Sequence, residues 1–349
     1  MRGRGTGKSE LGHGGKPRGT GKVTVFFAQS GFALAGRLCI VPGMKRRDFL
    51  VQTGLVAGAV CLARVPAWAQ PRGGAIGAEP GLHRLRRNIG LYTERGGTIG
   101  WLANDTGTAV IDTQFPDTAT KALALMQEGR EGPFDLTINT HHHGDHTSGN
   151  PVFGPASRQL VAHANVPGLQ RRAAEQRGTL DQQVYATTTF TDAWRIDLGD
   201  ETIAARYFGA AHTSGDIAVL FEKANVVHVG DLCFNRLYPF IDRGAGANIG
   251  HWITVVEQLV ATYPADAIFV CGHGKAAWGV TAKAADLLAF RDYLSGLLDY
   301  TQKQIAAGTS REALVKLDNL PGFPEFHDPA PNRLGANLGD AYDELTATT

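Results

Sequence analysis

Hydrophobic and polar positions recur in blocks along this chain after a Gly/Pro-containing lead-in that ends near Leu82. The stretch IGWLANDTGTAVIDTQF, 99–115, holds two apolar runs around a polar Asn104 to Gly107, which predicts a β-hairpin. PDTATKALALMQEG follows with Pro116, an acid in the first turn, apolar Ala122, Leu123 and Met126, and a closing Gly129, the marks of an amphipathic helix. FDLTINT, 134–140, returns to strand and delivers the chain into a polar loop. Strand, helix, strand and then polar loop places that loop at the C-terminal end of a strand, where open α/β sheets build their sites.

The same style continues. SRQLVAH predicts a strand, ANVPGLQRRAAEQ a helix, and WRIDL, TIAARYF, DIAVLFEK and ANVVHVGD four more strands. A helix from Trp252 to Tyr263, the strand AIFVCGHG and a long helix from Thr281 to Ala306 complete two broadly similar halves. Two mixed sheets packed together, with helices outside, is the architecture this order predicts. No short-period solenoid repeat is present. After Ser310, clustered prolines and glycines predict a surface tail, 310–349, that closes with a short helix and carries no chemistry.

Composition narrows the partners. With 349 residues, 43% hydrophobic and 34 basic against 33 acidic side chains, the chain has an ample core and no net charge that would draw nucleic acid or an anionic membrane. A small molecule is the expected ligand, and the oligomeric state stays open. Residues 1–22 are basic, Gly-rich and without apolar periodicity, and because an export signal stands at the start of a chain, with Met44 as the initiator the signal below implies, residues 1–43 read as an upstream extension outside the fold. From Met44, the cations Lys45, Arg46 and Arg47 precede an apolar run, Phe49 to Ala63, and a small-x-small ending at Ala67 to Ala69. Residues 44–69 therefore read as a removable signal peptide, and Arg46-Arg47 resembles the twin-arginine export signal. A periplasmic protein with no stable membrane anchor after cleavage is expected. Cys39 and Cys61 precede the cut, and the remaining Cys233 and Cys271 are too few for a disulfide framework.

The polar loop reads THHHGDHTSGN, 140–150. His141 and His143, two apart at a strand end, can grip one metal, while Asp145 and His146 in the turn can face a neighbouring one. Imidazoles and carboxylates are the ligands a hydrolytic zinc site uses. His142 between them should point away.

This HxHxDH pattern resembles the metallo-β-lactamase superfamily of metallohydrolases, and later motifs match in the same order over Gly90 to Ala306. The resemblance implies a four-layer αββα sandwich, an α+β fold, within a domain spanning 83–309. It implies one metal on His141, His143 and His212 (in GAAHTSGD) and a second on Asp145, His146 and His273 (in CGHG), with Asp231 (in HVGD) bridging the two. Asp112 (in VIDT) matches the family's early aspartate, which supports the metal loop from behind. Two zinc ions sharing an acidified water are the implied cofactor, with Asp145 orienting that water. From the residues themselves, Asp231 and His273 each close an apolar run, and a charge at a buried strand end is costly unless it is paired or metal-bound. His228 reads as a satisfied core histidine. Cys233 and Cys271, two residues from Asp231 and His273, read as buried packing, with a disulfide or a substitute ligand as alternatives.

Substrate readings are looser. Trp101 and Arg95, in the hairpin that overhangs the site in relatives, are candidates for substrate contact, against a plain turn with Trp101 in the core. Arg236 and Tyr238 are candidates to meet a substrate carboxylate, against a surface salt bridge for Arg236. The resemblance implies an exported zinc hydrolase of amide or ester-type bonds, β-lactamase-like. Because Asp231 replaces the cysteine of the broadest lactamase group, a thioesterase or lactonase of the glyoxalase II kind is the alternative. A mononuclear-iron oxygen-dependent enzyme, or a non-catalytic metal-binding protein, is the third reading.

Overall fold

The computed structural model describes residues 76–77, 79–130, 132–327 and 329–347. The extension at 1–43, the signal segment at 44–69, Cys39 and Cys61 lie outside the described residues. Strands β1 (Gly81–Arg84), β2 (Ile89–Thr93), β3 (Ile99–Ala103) and β4 (Thr108–Ile111) run antiparallel. β5 (Leu136–Ile138), β6 (Leu160–His163) and β7 (Thr188–Phe190) extend the same sheet in parallel. A second sheet has the order β13-β12-β11-β10-β9-β8, built from β8 (Ala193–Leu198), β9 (Glu201–Tyr207), β10 (Ile217–Phe221), β11 (Val226–Asn235), β12 (Ile268–Gly274) and β13 (Thr281–Ala282). Within it β11 and β12 pair in parallel.

The helices are α1 (Pro116–Gln127), α2 (Gly144–Thr147), α3 (Asn150–Phe153), α4 (Val166–Arg177), α5 (Ile249–Thr262), α6 (Ala284–Ala306), α7 (Arg311–Leu314) and α8 (Arg333–Thr346). Between the sheets, Leu91, Ile111 and Ile138 meet Val219, Val226 and Val270. Ala119, Ala122 and Met126 of α1 cover the outer face of the first sheet, while Trp252 and Leu259 of α5 and Phe290 of α6 cover the second. Helix, sheet, sheet, helix is the expected αββα sandwich. Both faces of β11 are buried, Val226 toward the sister sheet and Val227 toward the helices, which is why it reads as an unbroken apolar run.

Three differences separate the fold from the sequence expectation. β1, β2 and β7 add strands at both edges of the first sheet. Helix α6 starts at Ala284 rather than Thr281 because Ala282 pairs with Phe269 as strand β13. The segment after Ser310 is more than a surface tail: Phe326, Leu334, Leu338 and Ala341 are buried in the same cluster as α6. Among the described residues, no helix is long and apolar enough to cross a membrane.

Candidate metal centre

Asp112 organises the loop from behind. It follows β4 with φ of 63°, a left-handed conformation unusual for a non-glycine and tolerated best by Asp and Asn. Its carboxylate accepts from Thr140 N at 2.7 Å, from Thr140 Oγ1 at 2.7 Å and from His146 Nδ1 at 2.7 Å. That ties the end of β4 to the loop leaving β5. β11 delivers Asp231 past an irregularity at Gly230, whose φ is +50° and where a Cβ would lie 2.5 Å from Thr140 Oγ1. β12 delivers His273, paired in register with Phe234, and the loop after β9 supplies His212.

These elements bring all seven expected metal ligands together. His141, His143, His212 and Asp231 offer ligand atoms within 4.8 Å of one another, and so do Asp145, His146 and His273. Asp231 lies between the groups: Oδ2 is 3.8 Å from His141 Nε2, 3.4 Å from His212 Nε2 and 3.5 Å from His273 Nε2, and Oδ1 is 3.2 Å from His146 Nε2.

Outer hydrogen bonds decide which ring nitrogens face inward. His212 Nδ1 donates to the Phe240 carbonyl at 2.7 Å, so its Nε2 is the lone pair. His143 Nε2 donates to Asp242 at 2.9 Å, which turns Nδ1 inward. Thr140 Oγ1 spends its proton on Asp112, so it accepts from His141 Nδ1 at 3.1 Å. Three lone pairs then converge, His143 Nδ1 lying 3.1 Å from His141 Nε2 and 2.9 Å from His212 Nε2. Nitrogens so placed repel unless a cation sits among them. Asp231 Oδ1 is likewise buried with no donor aligned on it. These residues fit a metal.

Charge tells the same story. Burial presses the His141 imidazolium well below its ordinary range and takes His212 down to about 3, so these two imidazoles are neutral and ready to ligate. In the second group burial opposes charge too, but Asp231, Asp145 and Asp112 overcome it and raise His146 well above its usual value. His273 is lifted to about 9 against burial, chiefly by Asp231. Asp231 is held far below the carboxylate range, burial notwithstanding, by His273 and His146, and Asp145 is lowered against burial by His146 and His273. In the metal-free protein, protons thus stand where the second group asks for positive charge.

Other expectations sort cleanly. His228 is a satisfied core histidine: Nε2 donates to Thr98 O at 3.0 Å and Nδ1 accepts from Gly230 N at 3.2 Å. His142 turns away from the ligand cluster toward Asp242, with 3.7 Å from Nε2 to Oδ2. Cys233 and Cys271 are free, buried thiols, the packing reading. Trp101 is corrected as a substrate contact, since it is buried beneath α1 against Gly90 of the neighbouring strand. Arg95 is exposed and held by Asp117 at 2.6 Å. Arg236 and Tyr238 are corrected as well. Arg236 is buried in a pair with Asp286 at 3.0 Å, and Tyr238 packs among Tyr293 and Phe326.

A cavity of about 570 Å³ opens over the cluster. His143, Asp145, Asp231 and His273 form its floor, and Phe115, Phe234, Leu237 and Phe240 its walls. Arg177 and, from the supposed tail, Arg333 complete the lining. Phe234 stands near the end of strand β11, but Asp242, Phe115, Leu237, Phe240, Arg177 and Arg333 sit in loops and at helix ends, where no periodic pattern marks them.

The family model of the metallo-beta-lactamase superfamily matches residues 92–273. A hydroxyacylglutathione hydrolase of Rhodospirillum rubrum is 26% identical over 170 residues, 47% of this chain and 56% of that relative. The match thus spans little more than half the relative's length. In structure, the chain resembles a stereoselective inverting sec-alkylsulfatase from Pseudomonas sp., with TM-score 0.60 and 15% identity over 77% of this chain and 51% of that one. It also resembles the DIM-1 metallo-beta-lactamase, with TM-score 0.50 and 19% identity over 62% of this chain and 97% of that one. Likenesses at such identities show the shared fold.

Proposed function

The chain belongs to the metallo-beta-lactamase superfamily of metallohydrolases, and from that premise we propose a two-zinc hydrolase of amide or ester-type bonds in small molecules. The observation that carries this reading is the convergence of three inward lone pairs and a second His/Asp group on the shared Asp231, at the floor of an open cavity. His141, His143 and His212 would hold one ion, Asp145, His146 and His273 the other, with Asp231 between them. When bound, the ions would supply Lewis acidity, acidifying water and polarising a carbonyl oxygen. The chain's own residues do the rest.

Asp145 borders the cavity as a carboxylate 3.1 Å from His273 Nε2. Lowered so far, it is a hydrogen-bond acceptor suited to orienting water and a weak base. Asp112, Asp242 and the Phe240 carbonyl fix His146, His143 and His212 in place from outside. Phe234 stacks on His273 at 5.3 Å between centroids and Phe240 packs on His143 at 5.4 Å, so the walls keep one side of the site dry.

Among substrates, lactam and other amide bonds are the first reading. Thioester or lactone hydrolysis is the second, supported by Asp231 in the bridging position and by the similarity to a hydroxyacylglutathione hydrolase. Export by the twin-arginine route to the periplasm is part of the same proposal and rests on Arg46-Arg47 and the apolar run behind them. The test is a panel of nitrocefin, lactones and thioesters with zinc-loaded protein. Wild type should turn over at least one class, and His141→Ala and Asp231→Ala should lose activity. Full activity in either variant, or one iron per chain as the native content, overturns the two-zinc reading.

A further inference from the structure

We infer that Arg177 and Arg333 form an anion-recognising rim over the cavity, so that the substrate is an apolar-bodied acid whose carboxylate or sulfonate-like group meets the guanidiniums while its cleavable bond lies on the floor. This rests on the hydrolase reading and names its substrate class.

The two arginines differ from their neighbours in making no ion pair, Asp340 reaching Arg333 only through space while it is shared with Arg243 and Arg311. Arg95, at the same mouth, is taken by Asp117, while Arg236, Arg243 and Arg311 are paired with Asp286, Glu344 and Asp343. Among the described residues, no carboxylate forms an ion pair with Arg177 or Arg333. Both line the cavity. The acids beneath them are committed: Asp145 and Asp231 face histidines, and Asp242 holds His143 and the Ala245 amide.

Each guanidinium is also positioned. Arg333 lies over the Phe240 ring, 5.0 Å from its centroid, with Nε buried and lacking a hydrogen-bond partner. The ring contact holds the guanidinium at the cavity wall, where its fork suits a bidentate acid group. Arg177, in the last turn of α4, rests on the metal loop, with Nη1 3.3 Å from where a side chain at Gly144 would begin. Between them the cavity offers aromatic walls, and Phe240 is 43% exposed there, a large apolar surface awaiting cover.

The experiment compares 4-carboxyphenyl and 4-sulfophenyl acetate with phenyl acetate on zinc-loaded wild type and on the Arg177→Gln/Arg333→Gln double variant. Wild type should prefer an anionic ester by about tenfold in kcat/KM through a lower KM, the low end for a charge-assisted pair. In the double variant the preference should fall to within about twofold. No preference in wild type, or one the variant keeps, overturns the inference, since the floor metals alone would then explain it. The binding arm uses calorimetry with 2-naphthoate, 2-naphthalenesulfonate and neutral 2-naphthamide. Anions should bind about tenfold tighter than the amide, and only in wild type; equal binding, or an advantage that survives in the variant, overturns it. Should no ester be hydrolysed, the hydrolase reading fails by itself, and the binding arm decides the rim independently.

Discussion

Gly97 leaves no room for a side chain, and replacing it by alanine perturbs one half of the metal centre. A Cβ there would lie 2.1 Å from His146 Cε1, 2.4 Å from Nε2 and 2.6 Å from Nδ1. Carbon contacts settle near about 3.5 Å, so ring or backbone must retreat by roughly an ångström or more. The backbone is pinned: Gly97 N donates to Asp145 O at 3.0 Å, Gln114 Nε2 donates to Gly97 O at 2.7 Å, and Thr98 N donates to Gly272 O at 2.9 Å. The ring is held from behind by Asp112 at 2.7 Å. Overpacking of this kind costs about 1–3 kcal/mol, roughly 2–4 °C in Tm per kcal/mol for a chain this size. Displacing one ligand should weaken a zinc equivalent by about 10–100-fold, while the one on His141, His143 and His212 holds. Competition with a chromophoric chelator, alongside thermal melting, measures both effects. A Gly97→Ala protein that folds and binds both equivalents as wild type does would refute the packing argument.

Other outcomes follow from the same geometry. Asp242→Asn removes the carboxylate that orients His143 Nε2, and chelator competition should show metal affinity lowered about 10–100-fold with little change in Tm. Asp112→Ala deletes three buried hydrogen bonds and should cost about 3–5 kcal/mol in urea unfolding of the metal-free protein. In that metal-free state His273, raised from 6.5 to about 9, contributes stability that is complete below about pH 6.5 and lost as pH rises through about 9. The same proton must leave before the imidazole ligates, so zinc affinity should rise by up to about tenfold per pH unit across that window, measured by competition at several pH values; a flat profile would contradict it.

The legible parts of this molecule were those that chain geometry compresses. His141, His143, Asp145 and His146 sit in one loop after a strand, and Asp231 and His273 each end an apolar run, so local pattern exposes them. What supports them is long-range. Asp242 meets His143 across 99 residues and Asp112 meets His146 across 34, separations that no periodicity encodes. Asp112 was found through the resemblance, and Asp242 had no signal of either kind. The core reading of Trp101 and a salt bridge for Arg236 hold, whereas substrate contact by Trp101, Arg236 or Tyr238 does not, because nearness to a motif in sequence does not say which face of a strand or loop a side chain takes. Arg333 was hidden in a Pro/Gly-rich stretch whose composition spoke of surface, although Leu334 and Leu338 next to it anchor α8 on α6.

Anomalous diffraction at the zinc edge from crystals of zinc-loaded protein tests the central claim most directly. Two peaks are expected, one enclosed by His141, His143 and His212, the other by Asp145, His146 and His273, with Asp231 reaching both. A single peak, or peaks away from these residues, would contradict the account.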